Sequence, residues 1–215
     1  MAHLSKIIVN SAELGESFCL SPEYWLAAKQ LKGLGPGVSL EKIAIVSRVG
    51  VSTFRENALI LDTGHADGGL FSLSLQASNG RDRVSHKKRA PEGAVIISRL
   101  RPYLRQVAYI PKGFCDLVGV SEVLCSTEFY VLLPSDSKSI AFLVPWLLSE
   151  PVQDVFQQAS TGGHHPRFDE ELLTNLAVPK IVLEKRAQVS RRVEQLVTAH
   201  LEAQVGMQKL CMASK

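Results

Sequence analysis

Between residues 40 and 133 the chain alternates short apolar runs with turn residues: "EKIAIVSRVGV", "ENALILDTG", "GGLFSLSL", "GAVIISRLR", "QVAYIP" and "EVLCSTEFYVLLP". Runs of this length, rich in Val, Ile, Leu and aromatic residues, predict β-strands. Segments such as "AVIIS" and "FYVLL" lack polar alternation, which suggests strands buried on both faces. Gly, Asn, Asp and Pro in the links supply turn chemistry. A twisted mixed or antiparallel sheet, or a partial barrel, is the expected product.

After Pro134 the hydrophobic period lengthens. In "SIAFLVPWLLSEPVQDVFQQAS" the residues Ala141, Val144, Leu147, Leu148, Val152, Val155 and Phe156 recur at helical spacing, with Pro145 and Pro151 starting, bending or splitting the helix. Gly162 and Gly163 terminate it. A short helix follows over about 169–176, with Asp169 at its N-cap, Glu170 and Glu171 in its first turn, and Phe168 stapled onto Leu172 or Leu173. Near the start, "SPEYWLAAKQLKGLGPG" predicts a packing helix over 22–34, with Ser21 as cap and Pro22 at its first position.

The segment 183–205, "LEKRAQVSRRVEQLVTAHLEAQV", contains neither Pro nor Gly. Its apolar stripe is Ala187, Val189, Val193, Leu196, Val197, Leu201 and Val205, with the charges largely off it. At 1.5 Å per residue this helix is about 34 Å long, punctuated by Gly206. It can project and pair with another helix, or fold back on its own core. The expected class is α+β: a domain over residues 1–180 with a twisted sheet and flanking helices, then a long C-terminal amphipathic helix over 181–215 suited to a coiled coil or dimer.

Composition narrows the partners. With 215 residues and 46% hydrophobic content the chain can bury a substantial core, and a formal charge of +3 excludes a generally basic surface. The charge is nevertheless concentrated. Between Arg81 and Arg105, eight basic residues (Arg81, Arg83, Lys87, Lys88, Arg89, Arg99, Arg101 and Arg105) face only Asp82 and Glu92, a local excess of six that leaves the rest of the chain net negative. "NGRDRVSHKKRAPEG" reads as an exposed loop, while "SRLRPYLRQVAYIP" sets Arg99 and Arg101 along an extended segment with Arg105 beyond a Pro-Tyr turn. Arg forks bind phosphate or the guanine edge, and loop Lys and Arg make phosphate contacts that orient a duplex. Solvated surface charge, or pairing with nearby carboxylates, is the other reading of the same run.

Catalytic signatures are missing: the sequence has no GxxxxGK[ST], GxGxxG after a strand, HExxH or GxSxG, and no Asn- or Asp-Pro-Pro-aromatic methyltransferase motif. His164 and His165 are adjacent in a loop, where both seldom reach one ion, so no metal is assigned. A nuclease could be assembled from Asp116, Glu122, Glu128 and Lys138, but their spacing is not diagnostic. Cys19, Cys115, Cys125 and Cys211 form no CxxC framework, the N-terminus lacks a signal pattern, and the apolar runs are too short to span a bilayer. The expectation is a soluble cytoplasmic protein.

The blocks "GAVIISRLRPYLRQVAYIP", "STEFYVLLP", an aliphatic helical stretch, "STGGHHPRFDEELLTNLAVP" and a charged amphipathic helix follow one another in an order that resembles the specificity subunit of type I restriction-modification enzymes. Ser160, Thr161, Gly162, Gly163, Pro166, Arg167, Leu176, Val178 and Pro179 carry its most specific part, and the likeness spans roughly residues 40 to 205. The resemblance implies a non-catalytic target-recognition domain for double-stranded DNA, with Arg81, Arg83, Lys87, Lys88, Arg89, Arg99, Arg101, Arg105, His164, His165 and Arg167 as candidate DNA contacts. It implies no cofactor in this chain, S-adenosylmethionine in a partner DNA methyltransferase, and a separate motor and restriction subunit.

On that resemblance, 215 residues would supply one recognition domain and one helix, about half the family's usual length. A homodimer through Val189, Val193, Leu196, Val197, Leu201 and Val205 would restore a two-part reader of a gapped palindrome. Readings from other classes are a stand-alone DNA-binding or assembly factor of a related defence system, and a metal-dependent nuclease.

Overall fold

The computed structural model describes residues 8–9, 22, 24–26, 29, 36–53, 55–73 and 86–213. Its strands are β1 Gly37–Ser39, β2 Ala44–Ser47, β3 Gly50–Val51, β4 Leu59–Leu61, β5 Ala66–Asp67, β6 Leu70–Phe71, β7 Lys87–Arg89, β8 Val95–Ser98, β9 Val107–Tyr109, β10 Val123–Cys125, β11 Phe129–Pro134 and β12 Ala177–Pro179. The helices are α1 Phe114–Val118, α2 Leu143–Leu147, α3 Glu150–Gln158, α4 Glu170–Asn175, α5 Lys180–Glu184 and α6 Arg186–Ala213. The segment 22–34 lies largely outside the described residues; Pro22, Tyr24, Trp25, Leu26 and Lys29 within it are helical.

The continuous apolar runs form the central antiparallel sheet, in the order β2-β11-β8-β9, with Val131 opposite both Ser47 and Ile96. Side chains alternate between its faces. Tyr130, Leu132, Val95, Ile97, Val107 and Tyr109 enter one core beneath α2 and α3, while Phe129, Val131, Ile96 and Ala108 enter a second with Phe71 and Phe114. Each large apolar side chain removed from water contributes roughly 1.5–3 kcal/mol, so two-faced burial explains why these strands contain so few polar residues. A second sheet, β3-β7-β10-β4, is mixed: β10 runs parallel to β4 and antiparallel to β7. The fold is α+β, with open mixed and antiparallel sheets and no closed barrel among the described residues.

Helix α6 spans 28 residues, roughly 42 Å at the α-helical rise. It is longer than the sequence predicts, because Gly206 lies within it instead of ending it. The helix is fastened to the domain by a row of polar contacts. Arg186 pairs with Asp136 at 2.7 Å, Phe142 N donates to Ser190 Oγ at 3.1 Å, and Glu194 Oε1 accepts from Tyr109 Oη at 3.2 Å and Ser139 Oγ at 2.6 Å. Further along, Gln204 Nε2 donates to Phe71 O at 2.8 Å. Burial, with Glu194 beside it, pushes the Tyr109 hydroxyl pKa up to about 12. Between these contacts Val197 and Leu201 complete the second core, with Val205 also buried. Of the six positions assigned to a dimer face, Val197, Leu201 and Val205 are therefore covered by the chain's own domain, Val189 and Val193 are half-buried, and Leu196 is exposed.

One local expectation is corrected, and two features go beyond the sequence reading. Lys87–Arg89 is a strand, not part of an exposed loop. α1 was not foreseen; it follows Gly113 in a left-handed conformation, and its N-terminal Gly113 and Cys115 N–H groups donate to Glu92 at 2.9 and 3.0 Å. Phe168 is a core residue stacked on Phe156 at 4.2 Å, and Asp169, though at the N-cap of α4, makes no side-chain capping bond. None of the helices formed by the described residues is long and apolar enough to cross a membrane.

Candidate nucleic-acid interface

The link from β8 to β9 makes a sharply defined apex. Arg101 and Arg105 both adopt left-handed backbone conformations, with φ of 48° and 51°, and bracket a single 3₁₀ turn, Pro102–Leu104. Each such conformation costs a non-glycine residue about 1 kcal/mol or more, so neighbouring contacts must impose it. They do: Arg101 N donates to Pro166 O at 2.8 Å, Arg105 N to Pro102 O at 2.8 Å, and Gly68 N to Arg105 O at 3.2 Å. Arg105 is exposed, and Tyr103 and Leu104 retain 52% and 43% of their accessible surface, unusual for large apolar groups in so constrained a turn.

The glycine-histidine segment buttresses this apex. Thr161 and Arg167 exchange backbone hydrogen bonds of 2.9 Å in each direction, closing a loop over the intervening residues. Gly162 sits there at φ 102°, and a Cβ on it would approach His165 O at 3.3 Å, so the position suits glycine alone. Leu100 bridges to Arg167, and Arg101 Nη2 donates to His164 O at 3.2 Å with His165 Nδ1 also at 3.2 Å. Phe168 roots the loop in the core, with Tyr130 Oη donating to its carbonyl at 3.0 Å. His164 and His165 are exposed beside the apex.

One carboxylate ties the two segments together. Glu128 Oε2 accepts from Arg99 Nε at 3.1 Å and Arg167 Nε at 2.9 Å, and Glu128 Oε1 accepts from Arg167 Nη2 at 2.8 Å. The two Arg167 bonds, joined by the one from Arg99, hold the Glu128 carboxyl below the usual carboxylate range despite the opposing effect of partial burial. The trio keeps a single positive charge, and two of the predicted DNA contacts are thereby engaged in holding the loop.

The other predicted contacts are divided. Lys88 Nζ donates to Phe129 O at 2.8 Å and lies 5.5 Å from the Tyr130 ring centre; burial lowers its pKa. Lys87 is buried, and Arg89 pairs with Glu122 at 3.1 Å. Arg81 and Arg83 lie outside the described residues. The structure thus gathers Arg99, Arg101, Arg105, His164, His165 and Arg167 at one edge, with Lys88 close enough to Arg99 and Glu128 to respond to their charges. Sequence reasoning missed Glu128 in this role, and Tyr103 and Leu104 altogether. Their placement within "RPYLR", an apolar pair between arginines, was the available signal.

The acids weighed for a nuclease do not converge. Glu122 is bound to Arg89, Glu128 to Arg99 and Arg167, Asp116 stands exposed on α1, and no group of three or more potential metal-ligating side chains occurs among the described residues.

This is an α+β domain that presents arginine, histidine and exposed apolar side chains on a rigid edge. In sequence it is similar to the type I restriction enzyme EcoDI specificity subunit of Escherichia coli, at 30% identity over 105 residues. That alignment covers 48% of this chain and 21% of the relative, so the match spans about a fifth of the longer protein. The resemblance carried by the sequence blocks is thereby borne out at the level of a specificity-subunit domain. No family model matches the chain. A solved structure concerned with complex assembly and conformational transition of the type I R-M system contains a chain of 21% identity; the alignment covers 84% of this chain and 49% of that one, with a TM-score of 0.49.

Proposed function

We propose that the chain is a sequence-specific recognition module for double-stranded DNA in a type I-like restriction-modification system. In this reading it performs no chemistry itself. It positions a partner DNA methyltransferase, whose S-adenosylmethionine supplies the methyl group, and a separate motor and restriction subunit completes the system. The observation that carries the proposal is the 30% identity to a type I specificity subunit over 105 residues. The edge formed by the apex and the glycine-histidine loop supports it physically. Arg105, His164 and His165 are exposed there, and a cationic arginine beside hydrogen-bonding histidines on a braced surface suits the phosphate backbone.

A two-part site requires two such domains. The face of α6 turned from its own core offers Leu196, Ala199, Ala203, Met207 and Leu210, all exposed and recurring at intervals of three or four residues. Such a stripe suits a second helix, and a second copy of the chain would give a two-fold pair reading a gapped palindrome.

Selection of duplexes from a random pool by the purified chain, followed by sequencing, tests the proposal. Enrichment of a split motif with a fixed gap is the expected result, and a palindromic motif is expected of the paired form. Failure to enrich any motif, alone or with a co-purified methyltransferase, would overturn sequence-specific recognition.

A further inference from the structure

The recognition reading leaves Tyr103 and Leu104 without a task. They project from the Pro102–Leu104 turn with about half of each side chain in solvent, and their exposure is imposed by the backbone. Pro102 fixes one dihedral, two left-handed arginines fix the turn's ends, and Arg101 is tied to the glycine-histidine loop through both its main chain and its guanidinium. An apolar pair held outward in this way offers a contact surface that loses little freedom on binding.

Its rim identifies the partner. Arg105 is exposed at the apex with the two polar histidines beside it, and the Arg101 guanidinium lies against them. An apolar tip within a cationic rim matches a polymer with anionic strands flanking apolar base and sugar surfaces. It matches a neutral protein groove poorly. We propose that Tyr103 and Leu104 form a wedge that enters a groove of duplex DNA and packs against bases and sugars there. Neither the Leu104 side chain nor the Tyr103 ring face carries a hydrogen-bonding group that reads a base edge, so the wedge adds affinity without hydrogen-bond readout. The inference rests on the DNA-recognition reading and adds to it the residues that leave the phosphate surface and reach the groove.

Fluorescence anisotropy with a labelled mixed-sequence duplex, titrated with the full chain over a series of salt concentrations, separates the outcomes. The slope of affinity against salt counts phosphate contacts, whereas loss of an apolar contact shifts affinity equally at every salt. The double variant Tyr103→Ala, Leu104→Ala is expected to bind about 10-fold or more weakly at every salt with the slope retained, the scale of losing an aromatic stacked on a base. Tyr103→Phe is expected to bind like the parent. Unchanged affinity in the double variant would overturn the wedge and leave DNA recognition standing. A reduced slope would also overturn it, because the substitutions would then have acted by disturbing phosphate contacts of the neighbouring arginines. If the parent chain binds no duplex, the recognition reading itself fails. Both side chains are exposed, so thermal unfolding midpoints should coincide, and Leu104→Ala alone gives a second, milder variant.

Discussion

Lys87–Arg89 and Arg99–Arg105 contribute three cations each, yet the fold uses them in opposite ways. In the first group Lys87 is buried, Lys88 is spent on a carbonyl and an aromatic ring, and Arg89 on Glu122. In the second, Arg99 is bound by Glu128, but a left-handed turn carries Arg105 outward and links Arg101 to the exposed histidine loop. Charge density along a sequence therefore says less about which charges remain available than the backbone geometry that places them.

The contrast depends on the brace beneath the apex, and the largest effect is expected where that brace enters the core. Phe168→Ala removes a ring stacked on Phe156 and tilted against Tyr130 and should destabilise the chain by about 3–5 kcal/mol in urea unfolding. A loss under about 1 kcal/mol would mean that the loop does not draw its position from the core.

A smaller effect is expected at Glu128. Glu128→Gln keeps the shape but gives up the charge in bonds to two arginines, and should cost roughly 1–2 kcal/mol after allowance for partial exposure. Because the folded-state pKa of Glu128 is depressed, its contribution is present above the unfolded carboxylate range and disappears as pH falls through the lower folded value. Unfolding measured down through the acid range should show that loss in the parent chain and a flatter profile in Glu128→Gln. Equal profiles would place the carboxylate outside the clamp.

How much of this was legible follows from where each signal resides. β8, β9 and β11 were readable because burial on both faces leaves an unbroken apolar run. β7 was not, since its three residues are all cationic and its strand state comes from backbone pairing with β3 and β10, partners remote in sequence. The continuation of α6 past Gly206 was likewise hidden. One helical glycine costs about 1 kcal/mol, and contacts from His200, Gln204 and Gln208 to Phe71 and Leu73 hold the helix on both sides of it. At the candidate site the arginines and the glycine-histidine turn stood out by residue type. Glu128 did not, because its partners are 29 and 39 residues away and only the fold brings them together.

The most direct test sets the two basic groups against each other. Duplex-DNA affinity would be measured against salt for the parent chain, Arg105→Ala and Arg89→Ala. If the apex edge meets the DNA backbone, Arg105→Ala lowers the magnitude of the salt slope by about one while Arg89→Ala leaves it unchanged. The reverse pattern, with the slope falling only in Arg89→Ala, would contradict the account and move the interface to the second sheet.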